Sequence, residues 1–143
     1  MLRNVPIPEA SVAGIAVGIA LEQVRPWEFP SVRRSIGWSI VAAGSLIVAR
    51  SLKAVGSTEL SRPQRLVTGG PYAITRHPMY VGWALLQLGI GVAARSGWIL
   101  ATLPFVGAAV HRDVLREERR LGMTFGDEYQ EYCATVGRYL PRR

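Results

Sequence analysis

Four uncharged apolar runs constrain this chain more than any other feature. They span residues 10–21, 35–49 ("SIGWSIVAAGSLIVA"), 79–94 and 97–110. The first extends back toward Val5 if Glu9 sits at the surface. The third is interrupted only by Gln87, and the fourth contains Pro104. Charge or turn residues bound each of them: 25–34 after the first, Arg50 after the second, and Arg95-Ser96-Gly97 between the third and fourth. A helix crosses a bilayer comfortably with about 20 apolar residues, and none of these runs reaches that length. A soluble bundle of four buried helices is therefore the competing reading. Two features favour the membrane. The runs fill so much of a 143-residue chain that little polar helix surface remains to cover a soluble bundle. The basic residues are also unevenly divided. Four crossings place Arg3, Arg50, Lys53, Arg62, Arg65, Arg76, Arg112, Arg116, Arg119, Arg120, Arg138, Arg142 and Arg143 on one side. Only Arg25, Arg33, Arg34 and Arg95 fall on the other. That bias predicts both termini in the cytoplasm.

The expectation is thus an all-α, polytopic integral membrane protein. It has about four transmembrane helices and a short C-terminal amphipathic helix, in one domain covering 1–143. Residues 1–50 hold two spans, 51–78 a cytoplasmic loop, and 79–143 a helical hairpin with a cytoplasmic tail. Trp27, Trp38, Trp83 and Trp98 lie near run ends, as an interfacial aromatic belt requires. Gly14-x-x-x-Gly18 allows close helix approach, for internal packing or for a homodimer. The fourth helix is expected to continue to Leu121 and end at Gly122. Thr124 then reads as an N-cap with Asp127 at the third helical position. The helix it starts lines up Phe125, Tyr129, Tyr132 and Val136 on one face, either lying at the membrane surface or roofing the bundle. One cysteine, Cys133, excludes an internal disulfide and argues against a structural zinc site. Residues 1–4 carry one arginine and no clear cleavage signal follows, which argues against a signal peptide. The net charge of +7 suggests anionic partners. A nucleic acid is not among them, because the arginines sit at run ends and form no stripe with interleaved aromatics.

Two clusters carry chemistry. In "GGPYAITRHPMYVGW" (69–83), Pro78 suits the first turn of a helix, where its missing N–H is no loss. The free amides and dipole of that helix then face Arg76 and His77. The reading is a site for a carboxylate or phosphate, or a simple headgroup anchor. Gly69 and Gly70 let the backbone approach a bound group. In "HRDVLREERRLG" (111–122), helical spacing gives Glu118 the neighbours Val114, Leu115 and Leu121, so it points inward, while Glu117 is more solvated. An inward carboxylate needs a partner, either an arginine or a cationic ligand; an Arg–Glu surface network is the plainer alternative.

At these residues the chain resembles the membrane-embedded S-adenosylmethionine-dependent methyltransferases, which include the isoprenylcysteine carboxyl methyltransferases and the phospholipid N-methyltransferases. The matching stretches are "LVTGGPYAITRHPMYVGW" (66–83), "EERRLGMTFGDEYQEY" (117–132) and "GRYLP" (137–141). They cover the C-terminal half, and they are specific in combination. The resemblance implies that Thr68, Gly69, Gly70, Pro71, Tyr72, His77, Pro78, Glu117 and Glu118 contact S-adenosylmethionine, whose spent form is S-adenosylhomocysteine. It implies catalytic roles for Arg76, Glu118, Tyr80 and Arg138, with Arg76 serving either donor or acceptor. Methyl transfer needs alignment and exclusion of water, and no metal. The implied acceptor is a membrane lipid or hydrophobic small molecule carrying a carboxylate, amine or thiol, entering sideways from the bilayer. The arginine-rich, lysine-poor composition suggests a bacterial inner membrane. Two other readings share the pattern. One is an NADPH-dependent sterol-reductase-like enzyme; the other is a non-catalytic scaffold binding anionic lipid.

Overall fold

A computed structural model describes residues 9–28, 33–56 and 65–142. Four α-helices follow in order: α1 (Glu9–Val24), α2 (Arg34–Val55), α3 (Pro78–Ala94) and α4 (Gly97–Thr135), with a 3₁₀ turn at Gly70–Ala73 between α2 and α3. Among the described residues there is no strand beyond two isolated bridges, Glu28 with Ser96 and Thr75 with Gly137. Among the described residues two helices, α2 and α4, are long and apolar enough to cross a membrane, with mean hydropathies of 1.4 and 1.2. α3 is apolar but has 17 residues, and α1 has 16.

The outer surface is more apolar than a soluble bundle's, and some polar residues lie inside. Ser11, Ser51 and Gln87 are buried, whereas Val17, Trp38, Leu46 and Phe105 are exposed. Small residues draw the helices together, as they do where lipid removes the hydrophobic drive between them. α2 and α3 form the most extensive contact. Its seam is built by Gly37 and Gly44 on α2 and Gly82 and Gly89 on α3, each pair seven residues apart. A Cβ at Gly89 would lie 2.7 Å from Val41 N and 2.8 Å from Gly37 O; one at Gly44 would lie 2.8 Å from Gly82 O. α3 also packs on α4, and α4 on α1. Gly14 and Gly18 are buried against α4, where added Cβ atoms would strike Val106 and Ile99. The close approach they permit is used inside the chain, and a homodimer through that face would have to displace α4.

Several boundaries differ from the sequence expectation. α2 does not stop at Ala49. Arg50 and Lys53 stay exposed while Ser51 and Val55 are buried, so the helix carries its charges on the outside as far as Gly56, whose φ of 60° ends it. The expected loop over 51–78 is therefore shorter, and it contains the 3₁₀ turn. Pro78 does open α3, at its first position. Arg95 closes it in the left-handed region (φ 55°), and Ser96 caps α4 by accepting from Ile99 N. α4 runs through Gly122. Thr124 does not cap; its hydroxyl bonds back to Arg120 O at 2.9 Å from within the helix. The break falls instead at Gly126 (φ 51°, ψ −121°), leaving Asp127 and Glu128 at the start of the final segment. The expected aromatic face is present: Tyr129, Tyr132 and Val136 are buried together, with Leu66, Leu121, Phe125 and Cys133 packed against them. Arg3, Arg62 and Arg143, which entered the charge bias, lie outside the described residues.

Candidate functional site

The site forms where three segments meet: the stretch 65–77, α4 around Glu117 and Glu118, and the chain after the Gly126 break. Backbone bonds hold the first and last together. Arg76 N donates to Gly137 O at 2.9 Å, and Thr75 Oγ1 donates to Arg138 O at 2.8 Å. Gly137 turns the chain so tightly that a Cβ there would strike Leu140 O. Arg142 bonds the Cys133 and Ala134 carbonyls at 2.6 and 3.0 Å, satisfying orphan acceptors at the end of α4. Tyr132 Oη donates to Tyr72 O at 2.6 Å, fixing the final segment over the 3₁₀ turn.

Glu118 is the hub. Arg138 grips it with two bonds, Nε to Oε1 at 2.9 Å and Nη2 to Oε2 at 2.7 Å. Arg76 Nη2 lies 3.3 Å from Oε1 and His77 Nε2 lies 3.2 Å from it. The Glu118 side chain is 12% exposed and Glu117's is 40%, the order that the helical spacing predicts. Of the two partners open to Glu118 on sequence grounds, the one present is arginine, and His77 joins it. Burial alone would raise the Glu118 pKa, but the Arg138 bonds, Arg76 and His77 outweigh it and hold the carboxyl below its usual range. Burial pushes His77 down to about 4 against the pull of Glu118, so the imidazole is neutral at pH 7. Burial raises Glu117, opposed by its bond from the Tyr80 hydroxyl. Arg76 also contacts Cys133 Sγ.

Beside this hub lies a cavity enclosing about 540 Å³ of empty space, including the solvent at its mouth. Its polar lining is Arg65, Arg76, His77 and Glu117. The rest is Val55, Leu66, Val67, Leu121 and three tyrosines, Tyr72, Tyr129 and Tyr132. Four residues singled out from sequence thus reach it: Tyr72, Arg76, His77 and Glu117. Glu118, Arg138 and Tyr80 stand outside the lining but hold residues of it: Glu118 bonds Arg76 and His77, Arg138 bonds Glu118, and Tyr80 bonds Glu117. Thr68, Gly69 and Gly70 are exposed and do not line the cavity, nor does Pro71. Pro78 is buried at the start of α3. Sequence reasoning did not assign Val55, Arg65, Leu66, Val67 or Leu121 to the site. It read the helix carrying Tyr129 and Tyr132 as a roof, without assigning either tyrosine to the lining. Nothing in the sequence marks Val55, the last residue of α2.

Chemically, the cavity offers a cation at Arg76, a half-buried carboxylate at Glu117 and an aromatic wall, all at the polar ends of apolar helices. Residues 32–128 match the phospholipid methyltransferase family. Three curated proteins show the range of relatives. The cobalt-zinc-cadmium resistance protein CzcN of Cupriavidus metallidurans is 36% identical over 77 residues, 54% of this chain and 36% of that protein. The nickel-cobalt-cadmium resistance protein NccN of Alcaligenes xylosoxydans is 30% identical over 107 residues, 75% of this chain and 47% of that protein. The protein-S-isoprenylcysteine O-methyltransferase of Homo sapiens is 36% identical over 88 residues, 61% of this chain and 31% of that protein. The chain spans about half or less of the length of these relatives.

Proposed function

The chain belongs to the phospholipid methyltransferase family, and from that premise we propose that it is an integral-membrane methyltransferase. It moves a methyl group from S-adenosylmethionine to a lipid-like or small hydrophobic acceptor. The observation that carries this reading is a single cavity lined by Arg76, Glu117 and the tyrosines Tyr72, Tyr129 and Tyr132. The donor set fits the cofactor. Arg76 Nε is buried without a hydrogen-bond partner among the described residues, and it suits a carboxylate. Glu117 suits an ammonium group or ribose hydroxyls, and Leu66, Leu121 and the tyrosines suit a purine ring. When bound, S-adenosylmethionine supplies an electrophilic methyl group on a sulfonium.

The chain's own residues then do three things. Arg76 holds the anionic end and is itself oriented by Glu118, which Arg138 fixes from the other side. The segment after Gly126 roofs the cavity through Tyr129 and Tyr132 and excludes water. Glu117, raised by burial, takes the proton when the acceptor is an amine or thiol. A carboxylate acceptor needs no base, only a cation to align it, and Arg138, bonded to Glu118 at the edge of the cavity, is a candidate. In this proposal α1 and α3 cross the membrane with α2 and α4, in a bacterial inner membrane, with both termini in the cytoplasm.

The test is thermal unfolding of the chain in lipid nanodiscs with S-adenosylmethionine, S-adenosylhomocysteine or NADPH. The proposal expects the first two to raise the midpoint and NADPH to leave it unchanged. A shift with NADPH alone overturns it.

A further inference from the structure

Gln87 is the residue that interrupts the third apolar run, and nothing in the methyl-transfer site uses it. It is fully buried, in the middle of α3. Its amide nitrogen donates to Thr102 Oγ1 at 2.9 Å, and that hydroxyl in turn reaches Ile99 O at 2.8 Å and Gly14 O at 3.2 Å. The nitrogen side is thus tied to α4 and α1. The oxygen side is not: Gln87 Oε1 is buried with no hydrogen-bond partner among the described residues. One turn earlier on the same helix, Trp83 Nε1 is also buried with no partner. One orphan is an acceptor and the other a donor. Positions four apart on a helix put their Cβ atoms about 5–6 Å from each other. Both side chains therefore leave one face of α3 as neighbours, the arrangement that a single bridging oxygen requires. Leaving either group unmade inside an apolar bundle costs on the scale of a lost hydrogen bond, and polar groups at membrane depth are kept where they bind something.

We infer that Trp83 Nε1 and Gln87 Oε1 form a binding site for a hydroxyl group at bilayer depth. The hydroxyl oxygen accepts from the indole and its proton goes to the amide oxygen. A water molecule and the alcohol of a lipid-like molecule share that chemistry. By the rise of an α-helix, Trp83 lies about 9 Å and Gln87 about 15 Å along the chain from His77. The site is therefore separate from the Glu118 hub; it rests on α3 crossing the membrane, as proposed above, and not on the methyl-transfer chemistry.

The experiment labels the indole nitrogens with ¹⁵N in nanodisc-embedded protein. Four tryptophans give four indole cross-peaks, and Trp83→Phe assigns the one in question. The inference expects the Trp83 indole proton at a hydrogen-bonded, downfield position that moves upfield in Gln87→Met. Decan-1-ol and decane then separate the sources. A peak moved by the alcohol but not the alkane shows a site open to a lipid alcohol. A downfield peak moved by neither shows a tightly held water. The wild-type protein alone is decisive if Gln87→Met fails to fold. A Trp83 peak at the free-indole position, insensitive to both probes, overturns the inference. So does a downfield peak that Gln87→Met leaves in place, or equal movement with both probes.

Discussion

Replacing Glu118 by glutamine removes one charge and almost no volume, so it isolates what the hub contributes. Glu118 is 12% exposed and faces Arg76, also 12% exposed, with Arg138 at 37% and the buried His77 completing the set. Removing one partner of a buried ion pair costs about 3–5 kcal/mol, because the other charge is left uncompensated. Arg138 is exposed enough to turn to solvent, so its share falls to the surface-pair level of about 1 kcal/mol or less. Arg76 has no such escape, and a glutamine amide also points donors at donors. The expected loss is about 2–4 kcal/mol, or roughly 5–15 °C at the 2–4 °C per kcal/mol of chains this size. The assay is thermal unfolding in nanodiscs at pH 7, with exposed Glu131→Gln as a control expected to stay within about 0.5 kcal/mol. Arg76→Gln and Glu118→Gln should be strongly non-additive when combined. If Glu118→Gln unfolds at the same temperature as Glu131→Gln, the hub carries no such energy and the reasoning fails.

Two further outcomes follow from the packing and the titration. Gly89→Ala forces a Cβ against Val41 N and Gly37 O, backbone atoms that cannot yield, and should cost about 1–3 kcal/mol; Gly107→Ala meets nothing within 4 Å and should be neutral or slightly stabilising by the same unfolding assay. Because His77 titrates at about 4 in the folded protein and 6.5 unfolded, the unfolded chain binds more protons in between. Its stability contribution is complete above pH 6.5 and drains away as pH falls to 4, by on the order of 3 kcal/mol. Glu118, held low, adds loss in the same direction below its usual range, whereas Glu117, raised, works the opposite way. His77→Gln should flatten the unfolding midpoint between pH 4 and 6.5; an unchanged slope would show that His77 is not buried neutral.

The sequence made the local chemistry legible and the long-range geometry only in part. Pro78 marked the start of α3 because a residue without an N–H belongs at that position. The inward set of Glu118 followed from its neighbours at helical spacing. The face of Tyr129, Tyr132 and Val136 followed from spacings of three and four. What spacing could not show was which partner each face meets. Glu118 faces Arg138, 20 residues on, because Thr75 and Arg76 pair with the Gly137–Arg138 backbone. The exposed glycines Gly69 and Gly70 looked like a cofactor cradle, yet it is the neighbouring Leu66, Val67 and Tyr72 that line the cavity. The ends of α2 and α4 were misplaced for different reasons. Arg50 reads as a boundary after the second apolar run, but α2 keeps its hydrogen bonds and turns Arg50 and Lys53 outward as far as Gly56. Gly122 reads as a helix end, but α4 runs through it and breaks only at Gly126, whose φ is positive.

The most direct measurement follows methyl-labelled S-adenosylmethionine incubated with bacterial membranes that contain the chain. The account predicts label in the solvent-extractable, lipid-like fraction with the wild-type protein. It predicts none above background with Arg76→Ala, and strongly reduced transfer with Glu117→Gln. Label that remains water-soluble with the wild-type chain across membranes of varied lipid composition, under conditions where the donor binds, would contradict it.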